Sequence, residues 1–140
     1  MADLLHSKLQ LHLVTPTGSL VATEADEVRA PGILGGFGVR PGHTAFLTEL
    51  GGGVLTYVNG GQEDHYAVAG GFCEVAENRV TVLADFAEHA RGIDPREALE
   101  VLTAAQARLA AAAHKDLKIA QREEASVRIA AARLAAARTH

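Results

Sequence analysis

Gly92-Ile93-Asp94-Pro95-Arg96-Glu97-Ala98 is where two unlike halves of the chain meet. Asp94 is placed to cap a helix and Pro95 suits the first helical position. Glu97 completes a capping box, and Ile93 is set to staple onto Ala98. Upstream lies every one of the 14 glycines, the last being Gly92, whereas sixteen alanines fall between Ala98 and Ala137. A glycine-punctuated β-rich half therefore gives way to a helical one. Charge divides at nearly the same place. Residues 1–100 carry six Lys/Arg against fourteen Asp/Glu, and residues 101–140 carry seven against three. An acidic globular domain with a basic helical tail is an organisation that calls for a partner.

The bulk composition narrows the class. Of 140 residues, 48% are hydrophobic and 21% charged, which is globular composition rather than disorder. Aromatic residues make up 4% with no Trp, so stacking platforms for bases or sugars are scarce. The start of the chain carries an early acid, Asp3, and no long apolar run, so a signal peptide is not expected. Nowhere do about 18 uninterrupted apolar residues offer a membrane span. The single Cys73 excludes an internal disulfide, fits a reducing compartment and reads as a small buried hydrophobe.

In the first half, Leu9-Gln10-Leu11-His12-Leu13 alternates as a half-buried strand does. A turn at Thr15-Pro16-Thr17-Gly18 precedes an extended Leu20-Val21-Ala22-Thr23, and Glu27-Val28-Arg29-Ala30 is stopped by Pro31-Gly32. Phe37-Gly38-Val39-Arg40 and Phe46-Leu47-Thr48-Glu49-Leu50 flank the turn Pro41-Gly42-His43-Thr44. Val54-Leu55-Thr56-Tyr57-Val58 and His65-Tyr66-Ala67-Val68-Ala69 make a hairpin, with Asn59-Gly60 supplying the positive φ angles. Phe72-Cys73-Glu74-Val75 and Arg79-Val80-Thr81-Val82-Leu83-Ala84 make another around Glu77-Asn78. Many short strands at this spacing predict an antiparallel sandwich or flattened barrel over residues 1–90.

Residues 91–140 read as a helix-turn-helix. Leu102, Ala105, Leu109 and Ala112 keep a narrow apolar stripe, and Val127, Ala131, Leu134 and Ala137 give the second helix a comparable one. A break at His114-Lys115-Asp116 predicts two antiparallel helices of about 28 and 34 Å, although it holds no Gly or Pro and one continuous rod is physically allowed.

No stretch supplies a catalytic site. The run Gly32-Ile33-Leu34-Gly35-Gly36-Phe37-Gly38 lacks the Lys-Ser/Thr of a phosphate loop and leads into a strand, so it reads as a flexible turn. Histidines at 6, 12, 43, 65, 89, 114 and 140 have no ligand spacing, which argues against zinc. Ser7, Ser19 and Ser126 sit in no nucleophile elbow. Asp64-His65, and Asp85 with His89, read as solvated strand ends. The basic tail is diluted by alanine and lacks aromatics, so a protein partner is favoured over nucleic acid. On these residues alone, a free-standing adaptor with a helical docking arm is one reading.

Two segments carry a resemblance to a known family. Gly38-Val39-Arg40-Pro41-Gly42-His43-Thr44-Ala45-Phe46-Leu47 is similar to a G-[IV]-x-P-G-H-x-x-[FL]-L pattern. Ala69-Gly70-Gly71-Phe72-Cys73-Glu74-Val75, followed by Asn78-Arg79-Val80-Thr81-Val82-Leu83-Ala84-Asp85, is similar to G-G-[FI]-x-E-V…N-x-V-T-V-L-A-[DE]. Together, in this order, they resemble the epsilon subunit of bacterial F-type ATP synthase.

The resemblance implies a ten-stranded antiparallel β-sandwich followed by a C-terminal α-helical hairpin. It implies a non-catalytic rotor subunit at the foot of the central stalk, against the gamma subunit and the c-subunit ring. Such a subunit lies peripherally on the cytoplasmic face of the bacterial inner membrane without inserting into it. It couples proton flow to synthesis, while its hairpin can extend and block ATP hydrolysis by the alpha and beta subunits. On this basis Arg40, Pro41, Gly42 and His43 are expected to meet gamma or the ring. Arg122, Arg128 and Arg133 are expected to meet acidic surface on the catalytic subunits. Two departures stand out. Gly36 occupies a position where the family often has Glu. Ile93-Asp94-Pro95-Arg96-Glu97-Ala98 departs from the [IL]-D-x-x-R-A segment through which some members bind ATP, putting Glu97 where Arg is expected. No cofactor is therefore expected.

Overall fold

A computed structural model describes residues 7–112 and 114–139. The expectations for the first residues, His6 and His140 lie outside them. Among the described residues eight strands precede the helices: β1 (Leu9–Thr15), β2 (Gly18–Ala25), β3 (Glu27–Gly32), β4 (Gly35–Val39), β5 (Phe46–Glu49), β6 (Gly52–Asn59), β7 (Gln62–Ala76) and β8 (Arg79–His89). A 3₁₀ turn (Ala90–Gly92) leads to α1 (Pro95–Ala112) and α2 (Leu117–Ala137).

The strands form one path, β2-β1-β8-β7-β6-β3-β4, with β5 also paired to β7. All pairings are antiparallel except β1 with β8, which is parallel, so the sheet is mixed where a purely antiparallel one was expected. The path folds into two layers where β7 passes through Gly70 and Gly71, the point at which its ladder with β8 skips Gly70 and Asp85. Gly70 and Gly71 adopt φ of 73° and 104° in β7, and the break between β5 and β6 lies opposite them. Counted separately on either side of that point, the two long strands would bring eight to the ten that the resemblance implies. From the sequence alone β7 reads as two strands, because Gly70-Gly71 is a turn signal.

The two faces follow from alternation. Leu9, Leu11, Leu13, Leu55, Val68, Cys73, Val75, Val80 and Val82 are fully buried between the layers. The β6–β7 turn places its positive φ angles at Gly60 and Gly61, 60° and 80°, one residue later than expected, with Asn59 paired to Gln62 in the ladder. The β7–β8 turn achieves the same geometry with Glu77 and Asn78 at 51° and 62°. Burial holds the Cys73 thiol up at about 11, as suits a core residue.

The helices form the expected hairpin. Asp94 accepts from the Arg96 backbone N–H at 2.9 Å, as an N-cap does, but the Glu97 carboxylate is directed to Arg133. Ile93 and Ala98 are buried in one cluster, as the staple requires. Asp116 caps α2 by accepting from the Lys118 and Ile119 N–H groups, which accounts for a break without Gly or Pro. The α2 stripe holds at Leu134 and Ala137, which are buried, and at half-buried Val127, but not at Ala131, which is exposed between buried Ala130 and Ala132; Ala136 is buried as well. The stripe is broad because α2 packs on two surfaces, α1 and the outer face of the sheet at β6 and β7. There Ala67, Ala90, Ile93, Ala98, Ala132, Leu134, Ala136 and Ala137 form a second core, with Val54, Phe86 and Leu102 at its margin. Neither helix is long and apolar enough to cross a membrane.

Candidate interaction surfaces

Pro41 and Gly42 form the β4–β5 turn, where Gly42 needs its φ of 89°. The Gly42 N–H donates to Asn78 Oδ1 at 2.7 Å, so this turn is tied to the β7–β8 turn. The two sequence segments that carried the resemblance thus meet in space. His43 donates from its backbone to the Arg40 carbonyl at 3.1 Å, and its Nδ1 lies 2.7 Å from the Thr44 carbonyl. Its ring stands edge-on to Phe46 at 6.0 Å, and Phe46 in turn to Phe37 at 5.2 Å. Arg40 reaches Glu27 at 3.5 Å yet leaves 78% of its side chain exposed. A shallow groove of about 420 Å³ runs along Glu27, Gly38 and residues 40–43. Arg40, Pro41, Gly42 and His43 therefore present one small feature with a fixed backbone and a cation that is largely exposed although paired with Glu27.

The three arginines of α2 do not share one environment. Arg122 and Arg128 are exposed. The stem of Arg128 lies over Gly52, where an added Cβ would stand 2.5 Å from its Cγ. Arg133 faces inward, with 17% of its side chain exposed. Its Nε donates to Glu88 at 2.8 Å, and its two terminal nitrogens donate to Glu97 at 3.4 and 3.1 Å. These two carboxylates raise the guanidinium further above its ordinary range. Of these three, Arg122 and Arg128 belong to the open cationic face in this state.

Sequence reasoning missed an apolar surface. On the outer face of the layer that lacks the helices, Leu47, Phe72 and Leu83 are 67%, 52% and 53% exposed. Phe72 pairs with both Glu49 and Leu83, so these side chains lie across neighbouring strands. The signal was legible in Phe72-Cys73-Glu74-Val75: if Cys73 and Val75 point inward, Phe72 must point outward. Ile33 and Leu34, at the β3–β4 turn, are also exposed, Leu34 almost completely.

The polar pairs differ from expectation as well. Asp64 accepts from Tyr57 Oη at 3.0 Å and from His89 Nε2 at 2.6 Å, while His89 Nδ1 accepts the Arg91 N–H at 3.1 Å. This half-buried network fastens the end of β8 to the 3₁₀ turn before the helices. The Asp85 carboxylate instead lies against Gly70. Among the described residues, no three His, Cys, Asp or Glu converge as metal ligands.

A profile described as the beta-sandwich domain of the ATP synthase delta/epsilon chain matches residues 8–90. The ATP synthase epsilon chain of Anaeromyxobacter sp. (strain K) is 53% identical over 129 residues, covering 92% of this chain and 97% of that protein. The chain belongs to the ATP synthase epsilon-chain family. Another family member, from Myxococcus xanthus (strain DK1622), is 44% identical over 133 residues, covering 95% and 97% of the two chains. The epsilon-chain fold also matches a chain in a structure of Euglena gracilis mitochondrial ATP synthase, titled OSCP/F1/c-ring in rotational state 1. There the TM-score is 0.78 at 23% identity, covering 95% of this chain and 82% of that one. At that identity the likeness concerns fold alone.

Proposed function

We propose that the chain is the non-catalytic central-stalk subunit of a proton-translocating F-type ATP synthase. It links the gamma subunit to the c ring and inhibits ATP hydrolysis by the alpha and beta subunits through its helical hairpin. It sits peripherally on the cytoplasmic face of the inner membrane. The observation that carries the reading is the division of the molecule into two cores. The buried interior of the sandwich is built from residues 9–84, and the hairpin rests on it through a second, alanine-rich contact. An alanine methyl contributes only about 0.8 kcal/mol on burial, so such a contact is within reach of a competing partner.

The turn at Arg40, Pro41, Gly42 and His43, with the apolar Leu47–Phe72–Leu83 surface, serves the static contacts to gamma and the ring. Arg122 and Arg128 meet acidic surface on the catalytic subunits when the hairpin extends, and Arg133 joins them once freed. Glu97 stands beside Arg133 and repels phosphate, so the hairpin works without a bound nucleotide.

The test is assembly and hydrolysis. The full chain should co-purify with gamma, and His43→Ala should weaken that association without lowering the melting temperature. Removing residues 94–140 should leave gamma binding intact and raise ATP hydrolysis by the assembled complex several-fold. Unchanged hydrolysis would leave a coupling subunit without an inhibitory role.

A further inference from the structure

We infer that Glu88, Arg133 and Glu97 form a latch that holds the hairpin on the sandwich and sets how often it lifts. This deepens the proposed inhibitory role by naming the contact that restrains the hairpin. Arg133 joins three elements: Glu88 is near the end of β8, Glu97 in the first turn of α1, and Arg133 in the last third of α2. Among the described residues, Arg133–Glu88 is the ion pair that crosses from the sandwich to the hairpin. Arg108–Glu123, at 3.0 Å, links α1 to α2 and would travel with them. The latch is flanked by small side chains, Ala67 on β7 and Ala132, Ala136 and Ala137 on α2. Leu134 of α2, with Val54 and Phe86 of the sheet, supplies the larger apolar contact there, and the ion pair adds a directional restraint to it. Arg133 is well screened from solvent, so its charge-assisted bonds count for more than those of an exposed pair.

The two carboxylates have different parts. Lifting the hairpin about the junction at residues 92–94 separates Arg133 from Glu88 but lets Glu97 follow. Glu88 is thus the catch. Glu97, using both its oxygens, holds the guanidinium in the right orientation for Glu88.

The experiment uses the full chain carrying Leu34→Cys and Leu117→Cys, two exposed positions on sandwich and hairpin, each spin-labelled for distance measurement. Cys73 is fully buried and stays unlabelled in the folded protein. Glu88→Gln should raise the lifted population about fivefold and Glu97→Gln about twofold, while Arg108→Gln leaves it unchanged. Arg133→Gln should not exceed the Glu88→Gln, Glu97→Gln double variant, because all three remove one shared interaction. Added salt should lift the hairpin of the parent chain more than that of Glu88→Gln. Unaltered helix signal in circular dichroism separates lifting from melting, and Glu88→Gln decides the matter if Arg133→Gln folds poorly. Distance distributions unchanged in both variants would overturn the latch. In the assembled complex, Glu88→Gln should lower ATP hydrolysis. A shifted distance with unchanged hydrolysis would uphold the latch and overturn the inhibitory role instead.

Discussion

Gly71 shows how much can rest on one missing side chain. Its φ is 104°, and an added Cβ would lie 1.9 Å from the Leu83 carbonyl oxygen. Neither backbone can yield without opening the β7–β8 ladder. Gly71→Ala should cost about 3 kcal/mol or more, whereas Gly60→Ala, at φ 60° with nothing within 4 Å, should cost about 1 kcal/mol. Urea unfolding of the two variants checks the contrast. The tyrosines offer a second residue-scale test. Burial, and then the bond to Asp64, push Tyr57 up to about 12; burial and the Asp64 charge also raise Tyr66. Both are neutral in either state below the unfolded value of about 10. Between there and the folded values the unfolded chain loses its protons first, so stability must fall as pH rises through this window. The melting temperature should drop by about 4 °C across it, and by less in Tyr57→Phe. With two tyrosines and no Trp, phenolate absorbance reports the titration directly.

Among the elements, local signals were legible and long-range ones were not. The alternation of Leu9, Leu11 and Leu13 located β1, and Asp94-Pro95 located the start of α1, because each is decided by neighbours a few residues away. The parallel pairing of β1 with β8 joins residues about 70 positions apart and leaves no local mark. Arg133 likewise looked like one more cation on a polar face, since its carboxylates lie 45 and 36 residues upstream. A single-partner seam predicts Ala131 inward, but α2 has two partners, so Ala130 and Ala132 are buried in its place while Leu134 and Ala137 hold. The turn at residues 40–43 was legible as a feature, but its tie to Asn78 required the fold. The two-core arrangement makes an element-scale prediction. Since the inter-layer cluster draws only on residues 9–84, a chain without residues 94–140 should remain folded. It should bind more of a hydrophobic dye through the uncovered Val54, Ala67 and Phe86. An unfolded truncation, seen by circular dichroism, would refute the division.

At the scale of the molecule, charge is arranged by part: an acidic body carries a basic arm. Arg122→Glu with Arg128→Glu reverses two exposed cations while leaving the Arg133 latch untouched. Each exposed pair contributes about 1 kcal/mol or less, so the effect comes from their combination. Hydrolysis by the assembled complex should rise about threefold and become less dependent on salt; an unchanged salt profile would exclude an electrostatic docking of the arm. The bend at Gly70 and Gly71 has a mechanical consequence. Because β7 and β8 pass without interruption from one layer into the other, force entering either layer is borne by two continuous peptide backbones and their shared ladder. The sandwich therefore has no slip plane between its sheets. Pulled between one layer and the other, it should yield in a single rupture, as a stiff block does.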